Sequence, residues 1–120
     1  MLLLFCLVFN LMPGPSALYG KWRLEKLVTK TKTVLPNEVE YFLTVSEKSL
    51  SFNWENNTCS QGIVSMDDSI LNLSAAACTK IAIHDSIAVY LDYSGKYKLN
   101  NSQLTITNSK GTFYLHRETE

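Results

Sequence analysis

Beyond residue 20 the chain alternates apolar and polar positions, the period-2 signature of half-buried strands. Trp22 and Leu24, with Lys26 in phase, face one way on a first strand, while Lys21, Arg23 and Glu25 face the other. Lys30, Thr31, Lys32 and Thr33 read as a solvated extension of that strand, stopping near Pro36-Asn37. Val39, Tyr41, Leu43 and Val45 make the next apolar face. After Ser46-Glu47-Lys48-Ser49 the pattern resumes in Leu50, Phe52 and Trp54, which predicts a hairpin. Residues 56–60 read as a turn-rich loop carrying Cys59, and residues 63–66 and 70–74 flank Asp67-Asp68-Ser69 as a second hairpin. Tyr97 and Leu99, Leu104 and Ile106, and Phe113 and Leu115 supply three further strands between polar turns.

One segment departs from alternation. Ile83, Ile87, Tyr90 and Leu91 follow i, i+4, i+7, i+8 spacing with Ala88 beside them, the stripe of a helix laid on a sheet. The spacing predicts a helix over residues 83–93, ending at Gly95. The order becomes about five strands, one helix and three strands. Each strand has a single apolar face, so the sheet must curl round the helix or close partly into a barrel.

The N-terminus has neither pattern. Residues 2–12 are almost uniformly apolar, and as a helix they would reach only about 16 Å, against about 30 Å of bilayer hydrocarbon. Such a run fits the apolar region of a secretory signal, with Pro13-Gly14-Pro15 ending it before Ser16 and Ala17. Residues 1–17 are therefore expected to be a signal peptide and residues 18–120 a single domain. The cut could fall after Ser16, Ala17 or Gly20; a hydrophobic first strand is the alternative. Export places the product in a secreted or other extracytoplasmic compartment, with no membrane span once the signal is removed. There Cys59 and Cys78 are the remaining thiols, and one disulfide is their most economical use, although two separately buried thiols would also fit. Three N-x-S/T tripeptides, beginning at Asn56, Asn72 and Asn100, become glycan acceptors only in a eukaryotic secretory route.

Composition and charge narrow the function classes. The 120 residues include 11 basic and 11 acidic side chains, and none of these charges lies in the first 17 residues. A balanced chain lacks the cationic excess with which proteins neutralise nucleic-acid phosphates, so no nucleic-acid partner is expected. His84 and His116 are the two histidines, and no nucleophile elbow, H-E-x-x-H or phosphate-binding glycine loop occurs. His84-Asp85 reads as a helix entry, so no enzyme, cofactor or metal site is expected. Trp22, Phe52 and Trp54 either line a pocket or fill the core. Tyr90, Tyr93 and Tyr97 cluster around the predicted helix end, and would form a contact patch if exposed.

Gly20-Lys21-Trp22-Arg23-Leu24 resembles the G-x-W-x-L opening strand of the META domain family (HslJ-like). The resemblance continues through Thr58-Cys59-Ser60, the strands 63–66 and 70–73, Ala75-Ala76-Ala77-Cys78, the predicted helix, and Tyr97-Lys98-Leu99 to Leu104-Thr105-Ile106. Thr58 and Ser60 stand where the family has Gly and Asn, and Ala75-Ala76-Ala77 replaces its usual Thr and Met. The resemblance implies an α+β fold, a strongly bent antiparallel sheet of about eight strands packed on one helix. It also implies a non-catalytic exported module, monomeric, acting in envelope or secretion stress through a protein partner that the sequence does not identify. Gly20-x-Trp22 is also the lipocalin opening, which implies a carrier of a small apolar ligand. Against that reading stand the expected helix position and the small size of the domain for eight strands. A secreted inhibitor is a further alternative.

Overall fold

The computed structural model describes residues 15–36, 39–54, 57–78 and 90–118. A short 3-10 turn, Pro15–Leu18, precedes ten strands: β1 (Gly20–Val28), β2 (Thr33–Val34), β3 (Tyr41–Val45), β4 (Ser49–Trp54), β5 (Asn57–Met66), β6 (Ile70–Leu73), β7 (Ala77–Cys78), β8 (Gly95–Asn100), β9 (Gln103–Asn108) and β10 (Gly111–Arg117). Eight of them follow one another around a ring, β1-β3-β4-β5-β6-β8-β9-β10, with every neighbouring pair antiparallel. β10 returns to β1, pairing from Trp22↔Arg117 to Val28↔Thr112, and the ring is closed. β2 folds back on the end of β1, and β7 lies beside β5.

Closure removes the need for a covering helix. An open sheet with one apolar face must bury it against another layer, whereas a ring of eight strands turns that face inward, where side chains fill it. The inner positions are Trp22, Leu24 and Leu27 on β1, Leu43 on β3, Leu50 and Phe52 on β4, Leu71 on β6, Leu104 and Ile106 on β9, and Phe113 and Leu115 on β10. The expected α+β fold packed on one helix is therefore corrected to an all-β closed barrel, and no α-helix occurs among the described residues. Most of the predicted helix, residues 79–89, lies outside the described residues. Of its described end, Tyr90 is 3-10 and residues 91–93 are irregular chain, in which Leu91 and Tyr93 are buried and Gln61 on β5 accepts the Tyr93 N–H at 3.0 Å. Those apolar positions serve the barrel interior without needing a helical stripe.

Three smaller expectations also change. Residues 29–32 are a turn, held by Thr29 Oγ1 accepting from the Thr31 and Lys32 N–H groups, and the chain reverses into β2 instead of extending β1. Cys59 sits within a strand, not a loop, because β5 pairs with β4 from Asn57 to Gly62. A register shift between Leu24 and Lys26 throws Lys26 outward, over the Tyr114 ring at 4.8 Å, and Leu27 inward. The small size did not prevent closure, since tight turns such as residues 46–48 and 101–102 connect the strands. Among the described residues no helix is long and apolar enough to cross a membrane.

Candidate functional site: the two ends of the barrel

The strand directions define two ends. At the base lie Gly20, Val45 and Arg117; at the mouth lie Val28, Tyr41, Trp54, Asn57 and the β9–β10 turn.

The base is tightly capped. Leu18 is fully buried, and its carbonyl accepts the Trp22 indole N–H at 2.9 Å. The Arg117 guanidinium stacks over the Trp22 ring, 4.1 Å from its centroid. Its two terminal nitrogens donate to the carbonyls of Tyr19 (3.0 Å) and Ala17 (2.6 Å). The planar fork thus gives two carbonyls of the entering turn a charged donor and covers the Trp22 ring at the same time. Arg23 also pairs with Glu40 and Glu118 at 3.0 and 2.9 Å, but these are exposed contacts and contribute little.

Residues 90–94 cross the mouth and drop the Tyr93 ring into the interior. It meets Phe52 edge-on with centroids 5.1 Å apart, and Phe113 at 5.0 Å. Burial pushes its phenol well above the usual range. A polar latch holds this segment down. The Gln61 amide nitrogen donates to the Ser74 carbonyl (3.0 Å) and to Asp92 Oδ1 (2.9 Å), while its oxygen takes the Tyr93 N–H. From the opposite wall, Asn108 donates to the Asp92 and Ser94 carbonyls, each at 2.8 Å. Burial works to raise the Asp92 carboxyl, but hydrogen bonds from Gln61 and Ser94, with Lys110 nearby, outweigh it and hold the group below its ordinary 3.8.

Two predictions follow from the latch. Gln61→Leu leaves the Tyr93 N–H and the Ser74 carbonyl without their partner and should cost about 1–3 kcal/mol. The loss should show as faster amide exchange at Tyr93 than at Leu104. A carboxyl whose folded pKa is depressed contributes stability that is fully present above its unfolded pKa and lost as pH falls through the folded one. Stability should therefore decline as pH drops below 3.8, and Asp92→Asn, which keeps the acceptor oxygen, should make that decline shallower in acid-unfolding curves.

Beside the latch the mouth is aromatic. Tyr41 and Trp54 stack with centroids 5.9 Å apart and planes at 23°. On the outer wall below this rim runs a groove of about 510 Å³, lined by Lys21, Phe42, Thr44 and Asn53 at outward positions of β1, β3 and β4, with Val39, Glu40 and Trp54 at its rim end. Trp54 is 4% exposed, yet its indole N–H has no hydrogen-bond partner; Asn57, opposite it on β5 and 8% exposed, has an unpartnered Oδ1.

The residues singled out in the sequence are dispersed through this frame. Trp22 caps the base, Phe52 packs in the middle of the interior, and Trp54 stands at the mouth, so the three line the barrel from end to end instead of meeting in one pocket. Tyr93 and Tyr97 are buried, the latter donating its hydroxyl to the Asp67 carbonyl, and Tyr90 is half-buried against the core. Cys59 and Cys78 are joined by a disulfide that ties β7 to β5. His84 lies outside the described residues, and His116 is exposed on β10. Among the described residues no group of His, Cys, Asp and Glu could hold a metal ion.

Arg117, Gln61, Asn57 and Asn108 escaped the sequence reading. Alternation did contain a signal for two of them: Asn57, Cys59 and Gln61 share one face of β5, but polar residues pointing inward imitate a loop. Comparison with protein-family models, with curated proteins and with solved structures returns no match.

Proposed function

We propose that this is an exported, non-catalytic binding barrel with the strand order of lipocalins, which holds a small amphipathic molecule in the groove on its wall beside Trp54. The observation that carries the reading is the groove of about 510 Å³ ending on the buried Trp54. Its size falls within the roughly 300–1,000 Å³ of small-molecule sites, and its lining combines aromatic surface with a few polar groups. Eight antiparallel strands in up-and-down order are the architecture that lipocalins use, wide enough to pack side chains inside or to admit one small ligand. The disulfide supports export, because such bonds persist in oxidising compartments.

The test is a titration of the oxidised protein with the neutral fluorophore N-phenyl-1-naphthylamine. One saturable site per chain is expected, and Val39→Trp, which fills the groove, should abolish it without lowering the melting temperature. Absence of a saturable site, or equal binding by Val39→Trp, contradicts the reading.

A second reading, the META-like protein-contact module, is favoured by one observation. Val64, thrown out by a register shift in β5, is 66% exposed, and Ile70 is exposed nearby on β6. That reading expects a protein captured by native crosslinking to be lost in Val64→Lys.

A further inference from the structure

The outward face of β8, β9 and β10 stands on the side of the ring away from the groove beside Trp54. Alternation creates it: Tyr97, Leu104, Ile106, Phe113 and Leu115 turn inward, so the residues between them face solvent. Register then fixes which of those residues meet. Lys26, Tyr114, Thr105 and Lys98 form one row across four strands, and Thr112, Thr107 and Lys96 form the next. No outward position of β8, β9 or β10 carries a carboxylate, in a chain whose acids and bases balance at 11 each. Of the acids nearby, Glu25 accepts from the Gln103 amide at 3.0 Å, and Asp68 stands at the edge, in the β5–β6 turn. The ion pairs among the described residues join Arg23 to Glu40 and Glu118, and none includes Lys26, Lys96 or Lys98. A depression of about 780 Å³ runs over the wall so formed.

We infer that this wall binds a linear acidic polysaccharide, whose sulfate or carboxylate groups meet Lys26, Lys96 and Lys98 while its hydroxyls meet the threonines between them. The site is separate from the groove beside Trp54 and does not depend on what that groove holds. Lys26 and Lys98 are three strand spacings apart, about 14 Å along the wall, too far to converge on one small anion. A polymer with charges repeated along its length answers that spacing. Thr105, Thr107 and Thr112 offer hydroxyls that both donate and accept, as a sugar hydroxyl requires of its partner. Thr107 and Thr112 already bond to each other at 3.1 Å, a contact that a hydroxylated ligand can join. Single-stranded nucleic acid needs open aromatic faces on which bases stack, and Tyr114 has Lys26 Nζ 4.8 Å over its ring. An anionic membrane rewards apolar side chains that enter its interface, and the outward positions of β8, β9 and β10 hold no Leu, Ile, Val or Met.

The test measures binding of the full, oxidised chain to immobilised dextran sulfate, polygalacturonate, uncharged dextran and single-stranded oligothymidylate. At least one of the two acidic polysaccharides should bind, the tighter naming the anionic group, and dextran should not. Lys96→Gln/Lys98→Gln should weaken that binding at least about tenfold at ~50 mM salt, and should flatten its log–log salt dependence by roughly two, one for each cation removed. Lys32→Gln/Lys48→Gln takes the same charge from the β1–β2 and β3–β4 turns, and should change the affinity by less than about twofold. All four lysines are exposed, so melting temperatures should stay at the parent value. Equal losses in the two double variants would show attraction to net charge alone and overturn the inference, as would failure of both acidic polysaccharides to bind. Oligothymidylate bound as tightly, with the same loss in Lys96→Gln/Lys98→Gln, would assign the wall to nucleic acid and overturn it too. None of these outcomes bears on the fluorophore site beside Trp54.

Discussion

Truncating Tyr93 to alanine is expected to lower the folding free energy by about 3–5 kcal/mol, the range for deleting a buried aromatic ring from a packed core. The ring is 1% exposed and stands between Phe52 and Phe113, so its removal leaves a cavity lined by both. For a domain of this size such a loss moves the thermal midpoint by more than about 10 °C. Melting followed in the near-ultraviolet, where the packed aromatics report, reads it directly. The backbone N–H of residue 93 keeps its bond to Gln61, so the far-ultraviolet strand signal should persist below the transition. A change under about 1 kcal/mol would show that Tyr93 does not plug the interior.

Opening the disulfide should have the second-largest effect. Cys59 and Cys78 are 19 residues apart and paired across β5 and β7, and in the chain-entropy view a loop of that length contributes about 3 kcal/mol. Cys59 is buried, whereas Cys78 is exposed, so the bond anchors a two-residue strand whose own ladder is too short to persist alone. The urea midpoint of the Cys59→Ala/Cys78→Ala double variant should fall accordingly. Reductant should lower the midpoint of the parent chain by a similar amount and leave the variant unchanged. Equal midpoints for parent and variant would show that the bond adds no stability.

The strands that alternate cleanly were legible because a half-buried ladder forces a period of two. β4, with Leu50, Phe52 and Trp54 inward, and β9, with Leu104 and Ile106 inward, follow the pattern read from the residues. Partial closure was one of two expectations, but full closure was not legible, because it depends on β1 meeting β10, a pairing between residues such as Trp22 and Arg117 that no local pattern marks. The expected helix failed at its described end for a related reason. Leu91 and Tyr93 are buried at the mouth through long-range bonds to Gln61 and Asn108, and apolar spacing alone cannot distinguish that arrangement from a helical stripe. β5 was hidden in part because its inner face carries Asn57 and Gln61, where a strand normally places apolar residues. Those two departures from the binary pattern are the residues that latch the mouth and face Trp54, which agrees with the rule that local violations concentrate at functional sites.

The two indole N–H groups make the central claim directly measurable, since each gives its own signal in a proton–nitrogen correlation spectrum. Trp22 Nε1 at the capped base is bonded to the Leu18 carbonyl, and Trp54 Nε1 at the mouth has no partner. Titration of the oxidised protein with N-phenyl-1-naphthylamine should shift the Trp54 indole signal saturably, because Trp54 borders the groove, while the Trp22 signal stays in place. A Trp54 signal that does not move, or two signals that move together, would contradict a ligand site in the groove beside Trp54.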